Sequence, residues 1–531
     1  MYHLSEAALA SALDHLCRYG DTDIFPPLPE LAFFRDAKGA VVDELAQLDL
    51  DTYNPAGAVE ALSPKGRLGF RLAHQLAPTD TLLWLAAVVE IGPAIEARRL
   101  PPAEITAFSH RFAPTGNGDL FMSGRSYKDW LVAQTQALHS LEGGHVAATD
   151  ISDFFSRVNF HRLENLLDEA APGHGAARFI KKHIKVIRAK QSFGLPVGGT
   201  AARLLAELAL CDTDRALRDQ GIRATRFVDD FRLILTEQQN PYDALAFLAE
   251  HLGINEGLSL NASKTFIAMT ADYFRNLLDQ SVDVTEEAES EALDNLIDDI
   301  YSGDITVDPE ALEALKALNL VAYLSAELEK DAWDVGRIRR IMFALSMAKQ
   351  PGAIEYVIDN FEKLVMFARE LCVLMQRLAS DAPGCFEPIT DKVVTAVLSP
   401  PATSIQVIRS WLLELLVRGV VTPSAQHIKA LEALSHPLSR RQLMLVRGRI
   451  SDRNYFRKHK TALDLFSKFE QSCLVWGAAC LPADEFGSWL TAAKPSFNHP
   501  LGQLYLKWVK DYAGGLNEKL ATDWDHLDIG G

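Results

Sequence analysis

The sequence has few cysteines, no long apolar run and no basic excess, and each shortage narrows what the chain can be. Its six cysteines (Cys17, Cys211, Cys372, Cys385, Cys473, Cys480) form no CxxC pair. Neither a zinc site nor a disulfide framework is therefore expected, and a reducing cytoplasm is the expected setting. No stretch approaches the roughly 20 consecutive apolar residues of a membrane-spanning helix, so no membrane partner is expected. The first residues, MYHLSEAALASALDHLCRYG, carry acids and lack an uninterrupted apolar core, which argues against a signal peptide. Basic residues are in deficit, with a formal net charge of −17, and this speaks at first against a nucleic-acid binder.

Charge is segregated, however. Residues 176–191, AARFIKKHIKVIRAKQ, hold six basic residues and no acid, and 440–460 hold eight Lys or Arg with Asp452 as the one acid. The stretch 286–299, EEAESEALDNLIDD, holds seven acids and no base. A phosphate backbone docks on local patches, so a nucleic-acid path remains open.

At 531 residues the chain is too long for one compact core, and two or more domains are expected. Residues 1–103 read as helices separated by Pro-rich loops such as PPLPE at 26–30. From 104 to about 275 short β-rich runs alternate with helices. ITAFSHRFA (105–113) and HVAATDI (145–151) read as strands, and RFVDDFRLIL (226–235) reads as two strands joined at a two-residue turn. An acidic linker is expected over 276–305. From 306 to 531 nearly every segment has helical periodicity with Pro, Gly or Ser breaks, which suits a stack of antiparallel helix pairs.

Three signals in order carry chemistry. In Thr149-Asp150-Ile151-Ser152-Asp153-Phe154-Phe155 an apolar strand delivers Asp150 at its end. Gly194-Leu195-Pro196-Val197-Gly198-Gly199-Thr200 is a loop that opens into a helix, with glycines that admit close backbone approach. Phe227-Val228-Asp229-Asp230-Phe231 puts two acids at a hairpin tip. Each is commonplace alone, since a DD pair is ordinarily a solvated turn and a strand-end Asp ordinarily a helix cap. Together they suit two-metal phosphoryl transfer, in which carboxylates on adjacent strands hold two divalent ions about 4 Å apart. Without metal, acids gathered in this way would repel.

With GLSLNASKT (257–265), these motifs resemble the palm motifs of bacterial reverse transcriptases over about residues 104–270. GDTDIFP (20–26), FSHR (108–111), HRLENLL (161–167) and RFVDDFR (226–232) are similar to segments of the defence-associated group, including the abortive-infection (Abi) enzymes. The resemblance implies an α+β fold of right-hand-like fingers and palm, followed by an all-α HEAT-like repeat domain. It implies catalysis by Asp150, Asp229, Asp230 and Lys264, with Mg2+ (two ions, or Mn2+) on Asp150, Ile151, Asp229 and Asp230. Nucleotide contacts would come from Ile151, Asp153, Phe155, Arg111, Pro196 and Gly198, with Phe155 as the steric gate for deoxynucleotides and Lys264 beside the leaving pyrophosphate.

Val197 departs from the glutamine common in template-copying members. No thumb motif, RNase H-like acid cluster or maturase region is visible. The resemblance therefore extends to members that make DNA without a conventional template or from a small associated RNA, some priming on a tyrosine. Tyr2, Tyr19, Tyr53 and Tyr127 qualify by type. The expected partners are dNTPs, a DNA product, a small RNA, and further copies of the chain in a trimer or hexamer. The alternatives are an RNA-synthesising palm polymerase, which Phe155 opposes, and a helical scaffold with an inert polymerase domain, which the intact acids oppose.

Overall fold

The computed structural model describes residues 1–65, 69–139, 143–188, 191–279 and 309–522. The acidic run at 286–299 lies outside the described residues. The chain divides into two compact units, one of Met1–Leu16, Ala46–Ala58 and Asp80–Glu291, the other of Cys17–Leu45, Val59–Thr79 and Ala292–Gly531. No helix among the described residues is long and apolar enough to cross a membrane.

Strands β1 (Val59–Pro64) and β2 (Phe70–Gln75) form an antiparallel hairpin in the second unit, registered Ala61 against Ala73. This differs from the all-helical reading of the first hundred residues. The buried pair is two alanines, too small to mark a strand by hydrophobic alternation. The first unit holds an antiparallel sheet of four strands in the order β4-β5-β3-β6. They are β3 (His145–Asp150), β4 (Arg223–Phe227), β5 (Asp230–Leu235) and β6 (Phe266–Met269). Gly144 leads into β3 at φ +97°, where a Cβ would lie 2.1 Å from the Leu235 carbonyl oxygen, so glycine is required there. The segment 105–113, read as a strand, makes only isolated bridges at Ala107 and Phe112. Positive φ at Ile105 (52°) and His110 (47°) breaks its extended run.

One sheet face explains how the acids are placed. Cross-strand partners share a face, and β3 pairs with β5 as Val146–Ile234, Ala148–Arg232 and Asp150–Asp230. Val146 and Ile234 join Ala137, Leu138 and Tyr273 in an apolar cluster supplied by helices Tyr127–His139 and Thr270–Asp279. Moving along the strands, the face changes from this core to a cation and then to paired acids at the open end. On the neighbouring β5 positions Phe231 and Leu233 are fully buried, and each such side chain contributes roughly 1.5–3 kcal/mol by leaving water.

In the second unit five helices pack in series. They are Val335–Ala348, Ala368–Asp381, Gln406–Val417, Pro437–Arg449 and Lys468–Ala478. The last two cross at glycines, because a Cβ on Gly448 would lie 2.6 Å from Gly477 Cα. N-terminal residues are built into this unit. Glu30 accepts from Arg441 and Ser472, Trp411 Nε1 donates to Ile24 O at 2.7 Å, and Trp508 Nε1 donates to Asp36 at 2.9 Å.

Candidate functional site

The β4–β5 hairpin closes through Val228 and Asp229, with Phe227 paired to Asp230. Across the sheet Ile151 N–H donates to Asp229 O at 3.1 Å, so the end of β3 is tied to the acidic turn. Asp150 is held by the NASKT segment: Asn261 Nδ2 donates to its Oδ2 at 3.2 Å, and Lys264 Nζ lies 3.0 Å from the same oxygen. That segment is fixed by Asn261 N–H donating to Asp150 O at 2.7 Å. The hydrogen bond to Asp150 raises the Lys264 ammonium above its ordinary value, so it remains charged. Asp230 is gripped by Arg232, whose Nη2 lies 3.2 Å from Oδ2. Arg232 Nε donates to Tyr273 Oη at 2.6 Å, that hydroxyl donates to Gln134 at 3.0 Å, and the guanidinium lies 5.1 Å from the Trp130 ring. Burial opposes the charge of Arg232, but Tyr273 and Asp230 outweigh it and raise its pKa.

Asp229 differs from its neighbours. Burial, then Asp150 and Asp230, push its carboxyl up to about 6. Negative charge is therefore incompletely compensated at this turn, and its carboxylate oxygens are the donor chemistry Mg2+ prefers. In donor chemistry, Asp150, Asp229 and Asp230 suit a divalent ion. Among the described residues no group of three or more His, Cys, Asp or Glu is arranged to hold a metal ion. Two of the three carboxylates here are instead engaged by Lys264 and Arg232.

The remaining sequence-predicted residues fall into two groups. Asp153, exposed at φ +49°, precedes a short helical turn, Phe154–Arg157, that contains half-buried Phe155. The Pro196–Gly198 loop is bound to that turn, since Leu195 N–H donates to Phe155 O at 2.7 Å and Gly194 N–H to Val158 O at 2.8 Å. Ile151 is buried beside Asp150 and bridges to Leu260. Arg111 is not brought to the acids. It is 1% exposed, pairs with Glu96 and donates to Ala107 O at 3.2 Å, so its guanidinium is an internal tie.

The two basic runs are largely consumed within their own units. On helix Gly175–Ile187, Lys181 pairs with Asp168 at 2.6 Å, Lys185 with Glu164 at 2.7 Å and Arg178 with Asp51 at 3.3 Å. In 440–460, Arg441 is buried against Glu30, Arg447 meets Glu432 and Asp452, Arg457 meets Glu485, and Phe456 is fully buried. Asn261, Arg232 and Tyr273 escaped the sequence reading. Arg232 was detectable as the i+2 neighbour of Asp230, hence on the same strand face.

Residues 117–290 match the family described as reverse transcriptase (RNA-dependent DNA polymerase). No curated protein matches the chain. Among solved structures it is similar to telomerase from Candida albicans in complex with a TWJ fragment of telomeric RNA. The identity is 12%, the TM-score 0.30, and the match covers 71% of this chain and 70% of that one. Apo telomerase from Candida tropicalis gives 12% identity and a TM-score of 0.33, covering 72% of each chain. At such TM-scores the likeness has no bearing on function.

Proposed function

We propose that this reverse transcriptase, a nucleotidyltransferase by the family its residues 117–290 match, adds deoxynucleotides to a DNA strand in anti-phage defence. The observation that carries the reading is the register of Asp150 opposite Asp230, with Asp229 in the adjoining turn and its carboxyl pushed up to about 6 by burial and then by Asp150. Asp150, Asp229, Asp230 and the Ile151 carbonyl would hold Mg2+ or Mn2+, which supplies activation of the attacking hydroxyl and neutralises phosphate charge. Lys264, already charged beside Asp150, stands ready to stabilise the departing pyrophosphate. Phe155, Asp153, Pro196 and Gly198 would form the nucleotide pocket, with Phe155 excluding a 2′-hydroxyl. Arg111 is left out of this pocket because its guanidinium is buried against Glu96.

The defence role rests on the resemblance of the GDTDIFP, FSHR, HRLENLL and RFVDDFR segments to abortive-infection enzymes. The helical unit is read as HEAT-like, supported by its five serially packed helices. The cysteines are free thiols, which suits a cytoplasmic setting. If synthesis is protein-primed, Tyr127 is the best placed of the tyrosines considered. It is 47% exposed and packs on Phe227 at 5.3 Å, whereas the Tyr53 hydroxyl is committed to Asp80 at 2.7 Å.

The test is to sequence nucleic acid that co-purifies with the chain and to examine its 5′ end for a covalent peptide. DNA of any sequence supports the reading, and a tyrosine at its end supports protein priming. RNA product removes the deoxynucleotide assignment, and a Phe155→Ala variant with no gain in ribonucleotide use removes the gatekeeping role of Phe155.

A further inference from the structure

Val228, the first residue of the acidic turn, has φ +56°. A two-residue hairpin that turns this way normally takes glycine there, and for a β-branched residue the conformation is strained and persists only where its surroundings enforce it. The structure shows what enforces it. Val228 N–H donates to Ser109 Oγ at 2.8 Å, and Val228 O accepts from Arg226 Nη1 at 2.9 Å. Ser109 Oγ donates to Glu207 Oε1 at 2.5 Å, and Glu207 Oε2 accepts from the same Arg226 Nη1 at 2.8 Å. These four hydrogen bonds close a ring through both peptide groups of one strained residue.

The ring is buried and charge-balanced. The side chains of Arg226, Glu207, Asp214 and Arg99 are fully buried. Asp214 fixes the plane of Arg226 through two bonds of 2.7 Å. Arg99 donates to Glu207 at 2.9 Å and to the Ser109 carbonyl at 2.7 Å, which locks the residue supplying the hydroxyl. Ser109 has one hydroxyl proton, and Glu207 takes it, so the oxygen is left to accept from Val228. Burial opposes the Glu207 charge, but Arg226 and Arg99 outweigh it and hold the carboxyl well below its ordinary range. The acceptor is therefore ionised. Two charged pairs in a protein interior are a costly way to pack a core. Their geometry serves the turn: it fixes the peptide that precedes Asp229.

We infer that Ser109, Glu207 and Arg226, braced by Asp214 and Arg99, are positioning residues that hold the Val228 turn in its strained conformation and so aim the Asp229 carboxylate. The inference rests on the reading of Asp229 as part of the nucleotide-adding site. None of the three touches substrate, and each acts through the Val228 peptide. A displacement of about 1 Å at a reacting group lowers rate on the order of a hundredfold, so loss of one ring member is expected to act on kcat more than on binding.

The experiment uses the full chain as Ser109→Ala, Val228→Gly and the double variant. For each, kcat and dNTP KM are measured with Mg2+, and Mn2+ affinity is measured by paramagnetic resonance without nucleotide. Ser109→Ala is expected to lower kcat by about tenfold or more, with dNTP KM little changed and Mn2+ affinity weakened. Glycine adopts positive φ without strain, so in the Val228→Gly background the loss from Ser109→Ala is expected to shrink to about threefold or less. Equal losses with valine and glycine at 228, or no change in kcat and Mn2+ affinity, overturn the inference. Should Ser109→Ala melt below the assay temperature, Asp214→Asn loosens Arg226 without opening a cavity and must show the same pattern. A wild-type chain that adds no nucleotide overturns the functional reading instead, and the Mn2+ measurements still decide the positioning role.

Discussion

Replacing Asp229 with asparagine is expected to stabilise the metal-free protein while abolishing nucleotide addition. In the fold the Asp229 carboxyl titrates near 6, against an ordinary 3.8, because burial and then Asp150 and Asp230 disfavour its charge. Between about pH 4 and pH 6 the native state therefore binds more protons than the unfolded chain, and stability is lost as pH rises through that window. Two pK units correspond to about 3 kcal/mol at most, and solvent access at the turn reduces this to about 1–3 kcal/mol. An asparagine carries no charge and keeps the side-chain shape. At pH 8 in EDTA the Asp229→Asn variant is thus expected to melt a few degrees above wild type, and at pH 4 the difference is expected to vanish. Adding Mg2+ should narrow the gap at pH 8, because the ion binds the native wild-type site and not the variant. Scanning calorimetry over pH 4–8, with and without Mg2+, reads all of these. An Asp229→Asn variant that melts at or below wild type at pH 8 in EDTA would refute the electrostatic reasoning.

Lys264→Ala removes the cation 3.0 Å from Asp150. Nucleotide addition is expected to fall about 10- to 100-fold in single-turnover assays, and the Asp229 carboxyl to titrate higher still by NMR. In the helical unit, Gly477→Ala would force a methyl to within 2.6 Å of Met444 O and 2.5 Å of Phe456 Cζ. It is expected to destabilise that unit by about 1–3 kcal/mol in urea titration, with no change in dNTP KM.

The acids were legible because their signal is local. A strand ending in Asp150 and a hairpin ending in Asp229 and Asp230 are written in runs of five to seven residues, and the observed β3, β4 and β5 follow those runs. What supports them is not local. Ser109, Glu207 and Arg226 lie far apart in sequence, and an acid on the apolar face of Thr200–Ala209 was the single hint, at Glu207. Arg111 was read as a nucleotide contact at a strand end. Positive φ at Ile105 and His110 coils that segment, and Glu96 draws the guanidinium inward. The basic runs misled for a related reason. Composition counts charges, but pairing with Asp51, Asp168, Glu164, Glu30, Glu432 and Glu485 decides how many are left uncompensated. The β1–β2 hairpin was missed because Ala61 and Ala73 carry too little hydrophobic contrast.

The most direct measurement is incorporation of labelled dNTPs by the purified full-length chain with Mg2+, beside Asp150→Ala and Asp229→Ala. Incorporation by wild type, its loss in both variants and its loss on chelation are the expected results. Equal incorporation by wild type and the variants, or none by wild type under any template or primer condition, would contradict the assignment of Asp150 and Asp229 as the acids that add deoxynucleotides.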